Sequence, residues 1–270
     1  MVEGTQVAAS AGIAGEQFVA DWQDWYARAE AALTEPYGFL AMTGLTWLHA
    51  EPTEIPGVPG LWCVEGGNVV ADLAAGQSLR VGTEHVGGRV EIPLGSPVEI
   101  WHGSVWIDVV HRSEGVYVRP RDPDNPRRLT YPGTPTYDLD PAWRLQGRWT
   151  PPARPGSVAL PSSLAGVTNH YGDAGTLELE LAGRTWTLAL ISTARVPARL
   201  IFRDTTNGIE TYPRGRHIDL ELPEGSDLMT VDFNRARNFW CAYSPQPTCP
   251  AAPPQNVLDL AVPVGARYPS

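Results

Sequence analysis

The 270-residue sequence contains no lysine, and all 20 of its basic residues are arginine. Enzymes that form a Schiff base, anchor pyridoxal phosphate or bind nucleotide phosphates through a P-loop or kinase lysine all need that side chain, so these classes are excluded. No apolar run approaches the length of a transmembrane helix, and Met1 to Phe18 lack the basic and apolar regions of a secretory signal. The sequence therefore predicts a cytoplasmic protein without a membrane partner.

Positive net charge is also missing, because the formal net charge is -10 and the sequence pI is about 5.0. Nucleic acids and anionic membranes favour basic surfaces, so neither is expected as a partner. Motifs of the types G-x-G-x-x-G, G-x-S-x-G and the EF-hand loop do not occur. The six histidines are scattered, with neither H-x-H nor H-E-x-x-H among them, so neither a metal nor an organic cofactor is predicted.

Glycine and proline are abundant, with 27 and 26 residues spread along the chain, as is typical of many short strands and turns. A helix is predicted over residues 16–33, after a frayed segment 1–15, from the spacing of Phe18, Trp22, Trp25, Ala29 and Leu33. The fold class is accordingly mainly β, with an N-terminal amphipathic helix followed by two β-sandwich/barrel-like units. The predicted divisions are residues 1–35, 36–132 and 133–270.

The second β unit has its own pattern of strands and turns. Turns are predicted at Gly172 to Gly175 and at Ala182-Gly183, where glycine interrupts the apolar alternation. Strands are predicted at residues 143–150, 176–181, 185–192, 198–204, 209–212, 217–220, 228–234 and 257–262.

Asn207-Gly208 stands between two strand-like runs, residues 198–206 and 209–212, and predicts a type I′ hairpin with a two-residue loop. Because side chains alternate along strands, one face of that hairpin would carry Arg199, Arg203, Thr205, Glu210 and Tyr212. One interpretation is a polar pocket in which arginine binds a carboxylate, phosphate or sulfate while Glu210 or Tyr212 moves a proton. The other is a cross-strand ladder of salt bridges.

Further polar residues follow this segment. Arg216 and His217 come directly after the predicted hairpin, and the alternation Thr230-Val-Asp-Phe-Asn234 puts Asp232 and Asn234 on one face of a strand. Aspartate is disfavoured inside strands, so Asp232 needs a partner. It either acts as a base beside an orienting amide or forms a buried ion pair that holds the sheet.

Two of the three cysteines, Cys241 and Cys249, are separated by seven residues. This is not the C-x-x-C spacing of redox or zinc motifs. Two packed thiols, a disulfide, a reactive thiol and a metal ligand all remain open as interpretations, although a cytoplasmic location disfavours a structural disulfide.

Three runs of residues resemble the bacterial domain-of-unknown-function 1684 family. They are Phe202-Arg-Asp-Thr-Thr-Asn-Gly-Ile-Glu-Thr-Tyr-Pro-Arg-Gly-Arg216, Val231-Asp-Phe-Asn234, and Cys241-Ala-Tyr with Cys249-Pro and Pro253-Pro-Gln-Asn256. The resemblance covers most of the chain but implies no activity. The residues that match the family's motif are Arg203, Asp204, Glu210, Tyr212, Arg216, Asp232, Asn234, Cys241, Cys249 and Asn256.

The sequence also departs from the family's pattern in three places. It has Asn238-Phe-Trp where Asn-Pro-x is frequent, Gln255 where glutamate is usual, and His217 where an aromatic or aliphatic residue is common.

The leading hypothesis is a cofactor-independent small-molecule enzyme of the lyase, cyclase or hydrolase class, performing an elimination, a cyclisation or a hydrolysis. An anionic substrate would be bound by Arg199, Arg203, Arg216, Asn234 and His217, and acid-base catalysis would fall to Glu210, Asp232 and Tyr212. The alternative is a non-catalytic β module that binds a ligand, a partner protein or a second copy of itself, with structural ion pairs in the charged cluster. A third interpretation, a flavin-binding split barrel, predicts a yellow protein.

Overall fold

A computed structural model describes residues 3–112, 115–163, 165–246 and 248–268. The described residues are mainly β, as the sequence predicts, and they form two compact units. The large unit contains the described parts of Met1–Glu30, Gly133–Tyr243 and Pro247–Ser270. The small unit contains Ala31–Pro132 and Ser244–Gln246, apart from two residues outside the described ranges.

The predicted N-terminal helix is confirmed, but α1 extends over Glu3–Leu33 and begins well before residue 16. Its first turns are rich in alanine, the residue with the highest helix propensity, so they continue the helix rather than fray. Up to Glu30, α1 is part of the large unit and forms hydrogen bonds with other segments of it. Trp22 Nε1 donates to the carbonyl of Asn234 at 2.9 Å, and the Tyr26 hydroxyl donates to the carbonyl of Thr134 at 2.6 Å.

Two antiparallel sheets share one core in the small unit. The first has the order β1-β10-β9-β8-β5-β6 and the second the order β2-β3-β4-β7. The core contains buried residues from both sheets, including Trp62, Ile92, Ile107 and Val118, which makes the unit sandwich-like. The strands are β1 Thr46–Leu48, β2 Thr53–Ile55, β3 Val58–Glu65, β4 Asn68–Asp72, β5 Leu79–Val81, β6 Glu84–Val86, β7 Arg89–Pro93, β8 Ile100–His102, β9 Val105–Arg112 and β10 Gly115–Arg121.

The described strands of the large unit form one antiparallel sheet in the order β17-β11-β13-β14-β15-β16-β18, with β12 paired to β13. Alternate residues of its strands fill two different apolar clusters: Leu200 and Phe202 enter the inner cluster, and Ile201 enters the outer one. The strands are β11 Arg144–Thr150, β12 Ser157–Pro161, β13 Thr168–Leu181, β14 Arg184–Ser192, β15 Ala198–Phe202, β16 Arg216–Leu220, β17 Leu228–Asp232 and β18 Arg237–Asn238.

Short helical turns connect these elements. They are α2 at Pro126–Leu129 and single 3₁₀ turns at Phe39–Ala41, Pro141–Trp143, Phe233–Arg235, Trp240–Ala242 and Pro254–Asn256.

Of three local predictions for the second β unit, one is confirmed and two are wrong. Ala182-Gly183 is a turn as predicted, and both residues have the positive φ of a type I′ loop, 53° and 72°. The predicted turn at Gly172 to Gly175 is wrong, because these residues form a bulge inside β13. The predicted strand at residues 257–262 is also wrong, because this segment makes a single bridge, between Arg203 and Val257, within the described chain.

Candidate functional site

The predicted Asn-Gly hairpin is wrong. Strands β15 and β16 do pair, but Phe202 faces Arg216, so residues 203–215 form one long connection and residues 209–212 are not a strand. Short polar side chains in this connection bind the backbone. Asp204 N–H donates to Asn207 Oδ1 at 2.8 Å, and Thr206 N–H donates to Asp204 Oδ1 at 2.9 Å. Such local hydrogen bonds compete with strand pairing, which explains why the strongest hairpin signal fails here.

The predicted shared polar face is lost with the hairpin. Arg203 is exposed and its backbone hydrogen-bonds to Asn256 and Leu258. Glu210 is also exposed, accepts from the Tyr137 hydroxyl at 2.9 Å and lies 3.8 Å from Arg267. Within the described chain, no hydrogen bond or ion pair joins Arg203 to Glu210. The strand face on which these two side chains were expected to meet is therefore absent.

Arg216 was predicted to bind a substrate, but it is buried in an ion pair with Asp204. Nη2 lies 2.8 Å from the Asp204 carboxylate, and both side chains are 0 % exposed. The same guanidinium donates to the carbonyls of Val262 at 2.8 Å and Val264 at 2.5 Å, and more weakly to Ala266. A buried cation is costly unless it is paired and hydrogen-bonded. Here the hydrogen bonds of the two terminal nitrogens of Arg216 tie residues 262–266 to β16.

Two buried asparagines act in a similar way. Asn234, predicted to bind substrate, accepts from the N–H of Asp140 and donates to its carbonyl, both at 2.9 Å. Asn256 accepts from the N–H of Ala189 at 2.8 Å and donates to the carbonyls of Ala189 and Ile201 at 2.9 and 2.7 Å. Each amide therefore replaces a backbone pairing partner. The role of Asn256 was missed from the sequence, where a Pro-rich tail gave no sign of burial.

Arg199 and His217 lie together with Asp219 and Arg237. Asp219 pairs with Arg199 at 2.5 Å and with Arg237 at 2.6 Å. His217 is buried and stacked on Phe239, with ring centroids 5.0 Å apart. Burial, reinforced by the charges of Arg199 and Arg237, holds the pKa of His217 well below its ordinary value, so the imidazole is neutral.

Tyr212 is buried in the outer apolar cluster. Its hydroxyl donates to the carbonyl of Cys241 at 3.0 Å, and burial raises the pKa of Tyr212 above its ordinary value. A phenol in this environment keeps its proton. Tyr212 was expected to share a strand face with Glu210, but it lies beside the cysteines instead.

The open edge of the large sheet provides a different candidate site. Strands β16 and β17 contact each other but share no backbone pairing in the described chain, and they flank a cleft of about 310 Å³. We call it the seam cleft. It is lined by Arg144, Ile218, Asp219, Leu220, Glu221, Leu222, Pro223, Leu228, Met229, Thr230, Asp232 and Arg235.

Asp232 is the predicted catalytic residue that lines the seam cleft. Its Oδ1 accepts from the backbone and side-chain N–H groups of Asn234 at 3.0 and 2.9 Å, whereas Oδ2 lies 3.6 Å from Arg235 Nε. Arg144 is opposite Asp232 in the strand register, and its guanidinium has no hydrogen-bond or ion-pair partner among the described residues. Neither arginine was predicted from the sequence, although Arg235 directly follows the Asp-Phe-Asn run.

In the described ranges, no three or more His, Cys, Asp or Glu side chains are grouped so that they could hold a metal ion. The three cysteines are unbridged.

Comparison with known proteins places these features in a family. The family model described as "Protein of unknown function (DUF1684)" matches residues 129–267, slightly more than half of the chain. The chain belongs to this DUF1684 family. The matched range contains strands β11 to β18, and with them the Asp204–Arg216 pair, both buried asparagines and the seam cleft.

The solved structures similar to this DUF1684 protein include the solution NMR structure of an uncharacterized protein from Haloarcula marismortui. It is 33 % identical over 52 % of this chain and 78 % of that chain, with a TM-score of 0.44. No curated protein matches. In the part of the chain that the structure describes, no helix is both long and apolar enough to cross a membrane.

Proposed function

We propose that the seam cleft binds a small molecule with an apolar body and an anionic group. The observation that carries the proposal is the composition of the cleft, in which apolar walls lead to an unpartnered guanidinium. Pockets for small molecules are typically apolar with a few convergent polar groups. Leu222, Pro223 and Leu228 supply accessible apolar surface above the buried residues Ile218, Leu220 and Met229. The cleft volume of about 310 Å³ suits a small ligand.

The polar end supplies the charge selectivity. Arg144 and Arg235 both line the cleft, and a guanidinium binds carboxylate, phosphate or sulfate through two parallel hydrogen bonds. The carboxylates of Asp219, Glu221 and Asp232 also line the cleft. The charge of Asp219 is balanced by Arg199 and Arg237, and that of Asp232 faces Arg235. Arg144 is therefore the group with spare capacity to bind an anion.

Ligand titration tests this function, with hexanoate, benzoate and phenyl phosphate as probes and calorimetry or chemical-shift perturbation as the measurement. Arg144→Ala is expected to weaken binding of the best probe by roughly 10- to 100-fold, because charge-assisted hydrogen bonds contribute about 1.5–3 kcal/mol. Arg148→Ala is the matched control, because Arg148 lies on the same strand but does not line the cleft. Equal losses in the two variants, or no saturable binding of any probe, would contradict the proposal.

Proton transfer to the bound ligand is a second candidate function, favoured by the position of Asp232 in the cleft. Both short hydrogen bonds to this carboxylate go to Oδ1, and Oδ2 faces Arg235 Nε only at 3.6 Å, so Oδ2 is the oxygen that would accept a proton in an elimination, cyclisation or hydrolysis. With a ligand that the protein converts to product, Asp232→Asn should lower kcat by about 10²- to 10⁴-fold and leave the affinity for that ligand unchanged. Full turnover in this variant would remove Asp232 from the chemistry.

A further inference from the structure

Cys241 and Cys249 come together outside the seam cleft, on the side of the sheet that carries the outer apolar cluster. The backbone N–H of Cys241 donates to the sulfur of Cys249 at 3.4 Å. A sulfur that close to the backbone of the other cysteine is within reach of its thiol by rotation about one side-chain bond. The pair is fixed from the other side, where Cys249 N–H donates to the Ser163 hydroxyl at 3.0 Å.

The two thiols differ in accessibility. Cys249 is buried, at 5 % exposure, whereas Cys241 is partly exposed. An incoming reagent therefore meets Cys241 first, and Cys249 is held behind it. This order, an accessible thiol with a shielded one next to it, is what a two-step exchange at sulfur requires.

The surroundings of Cys241 favour its thiolate. Its hydrogen bond with Cys249 lowers the pKa of the Cys241 thiol most, followed by contacts with Tyr212 and Ser163 and by the charge of Arg214, and the resulting pKa is about 7. The proton stays on Cys249, whose pKa is raised well above its ordinary value because it donates to Cys241. The thiolate is the nucleophilic form of cysteine, so Cys241 is the member of the pair prepared to attack.

We infer that Cys241 and Cys249 form a thiol–disulfide exchange site whose reaction partner is a small-molecule disulfide. Neither the family assignment nor the proposed ligand cleft includes this activity. The site depends on Cys241 as the attacking thiolate, on Cys249 as the resolving thiol, and on Tyr212, Ser163 and Arg214 as the groups that position and polarise them.

The exchange balances in two steps. The Cys241 thiolate attacks one sulfur of the disulfide, which forms a mixed disulfide and releases one thiolate of the reagent. Cys249 then gives up its proton and attacks the Cys241 sulfur, which forms the Cys241–Cys249 disulfide and releases the second thiol of the reagent. Counted from the Cys241 thiolate, the protein loses two electrons and the one proton of Cys249, and the small disulfide is reduced to one thiolate and one thiol.

The experiment uses the full chain, reduced and then incubated with oxidised glutathione, followed by alkylation and peptide mapping by mass spectrometry. The expected product contains a Cys241–Cys249 disulfide with Cys63 still free, since Cys63 is buried and its pKa is raised by that burial. In Cys249→Ser the mixed disulfide should accumulate on Cys241, and in Cys241→Ser no adduct should form. Modification confined to Cys63, or no change under a large excess of oxidised glutathione, would overturn the inference.

A pH profile gives a second measurement that needs no cysteine substitution. The rate at which Cys241 is alkylated by iodoacetamide should reach half its maximum near pH 7, whereas an ordinary thiol does so near about 8.5. Arg214→Gln should move this midpoint upward, and Arg184→Gln, on an exposed arginine paired with Asp259, should not. A midpoint near 8.5 in the unsubstituted chain, unchanged by Arg214→Gln, would rule out the thiolate assignment.

Discussion

Replacing Asp204 with asparagine removes a buried negative charge and changes little else. Oδ1 of asparagine can still accept from Thr206 N–H, which lies 2.9 Å from the present carboxylate. What disappears is the anion that faces Arg216, a side chain with no exposed surface. The variant therefore isolates the contribution of charge pairing from that of local hydrogen bonding.

The size of the effect follows from the surroundings of Arg216. Removing one partner of a buried ion pair costs about 3–5 kcal/mol, because the other charge is left without compensation. Here the carbonyls of Val262, Val264 and Ala266 still accept from the guanidinium, which moderates the loss. We therefore expect about 3 kcal/mol, a large share of the 5–15 kcal/mol that typically separates folded from unfolded domains.

The loss of unfolding free energy in the large unit is measured by urea unfolding that is monitored by pulsed hydrogen exchange in peptides from β15 and β16. This readout is preferable to a whole-chain signal, because a chain with two compact units need not unfold in one step. At an m-value of about 2 kcal/mol/M, a loss of about 3 kcal/mol lowers the midpoint by roughly 1.5 M.

Asp259→Asn is the matched control. Asp259 pairs with Arg184 in the same unit, but both side chains are more than half exposed, and exposed pairs contribute less than about 1 kcal/mol. If Asp204→Asn lowered the midpoint no more than Asp259→Asn, the assignment of Asp204 and Arg216 to holding the fold would be refuted.

Three further predictions concern single positions. Asn256→Ala should lower the thermal midpoint by the equivalent of more than about 2 kcal/mol, because the buried carbonyl of Ile201 and the partly buried N–H and carbonyl of Ala189 lose their partner; an unchanged midpoint would contradict this. In urea titrations, Gly175→Ala should lower the free energy of unfolding far more than Gly183→Ala. Both glycines have positive φ, but a Cβ at residue 175 would lie 2.1 Å from the Thr150 carbonyl oxygen, whereas one at residue 183 meets no atom within 4 Å. His217 binds a proton in the unfolded chain but not in the folded one, so stability should fall below about pH 6.5 by up to about 1.4 kcal/mol per pH unit. His217→Gln should make this slope shallower, and an equal slope in both proteins would argue against the assignment.

Most of the fold could be predicted because its signals are local. The helix follows from the spacing of Phe18, Trp22 and Trp25, and most strands follow from short apolar runs between glycines and prolines. The failures have local causes too. Asp204 and Asn207 bind the backbone in place of a strand partner, and the bulge at residues 172–175 contains glycines that resemble a turn.

The candidate site could be predicted only in part, because its assembly depends on long-range contacts. Nothing near Arg216 in the sequence shows that residues 262–266 return to bind its guanidinium. Nor does the spacing of Cys241 and Cys249 reveal that a 3₁₀ turn at Trp240–Ala242 brings one sulfur to the backbone of the other cysteine. Asp232 was predicted correctly to need a partner, but the partners proved to be Asn234 and Arg235.

The residues that mark this chain as a DUF1684 protein and the residues that line the seam cleft are therefore nearly separate sets. The carboxylate of Asp204, both terminal nitrogens of Arg216 and the amides of Asn234 and Asn256 are bound by the chain itself, which leaves these groups little capacity for a ligand. Asp232 alone belongs to both sets as they are defined here. The motif thus accounts for how the large unit is held together, whereas the ligand binding proposed for the cleft would depend on positions outside the motif, such as Arg144. A shared fold need not carry a shared ligand.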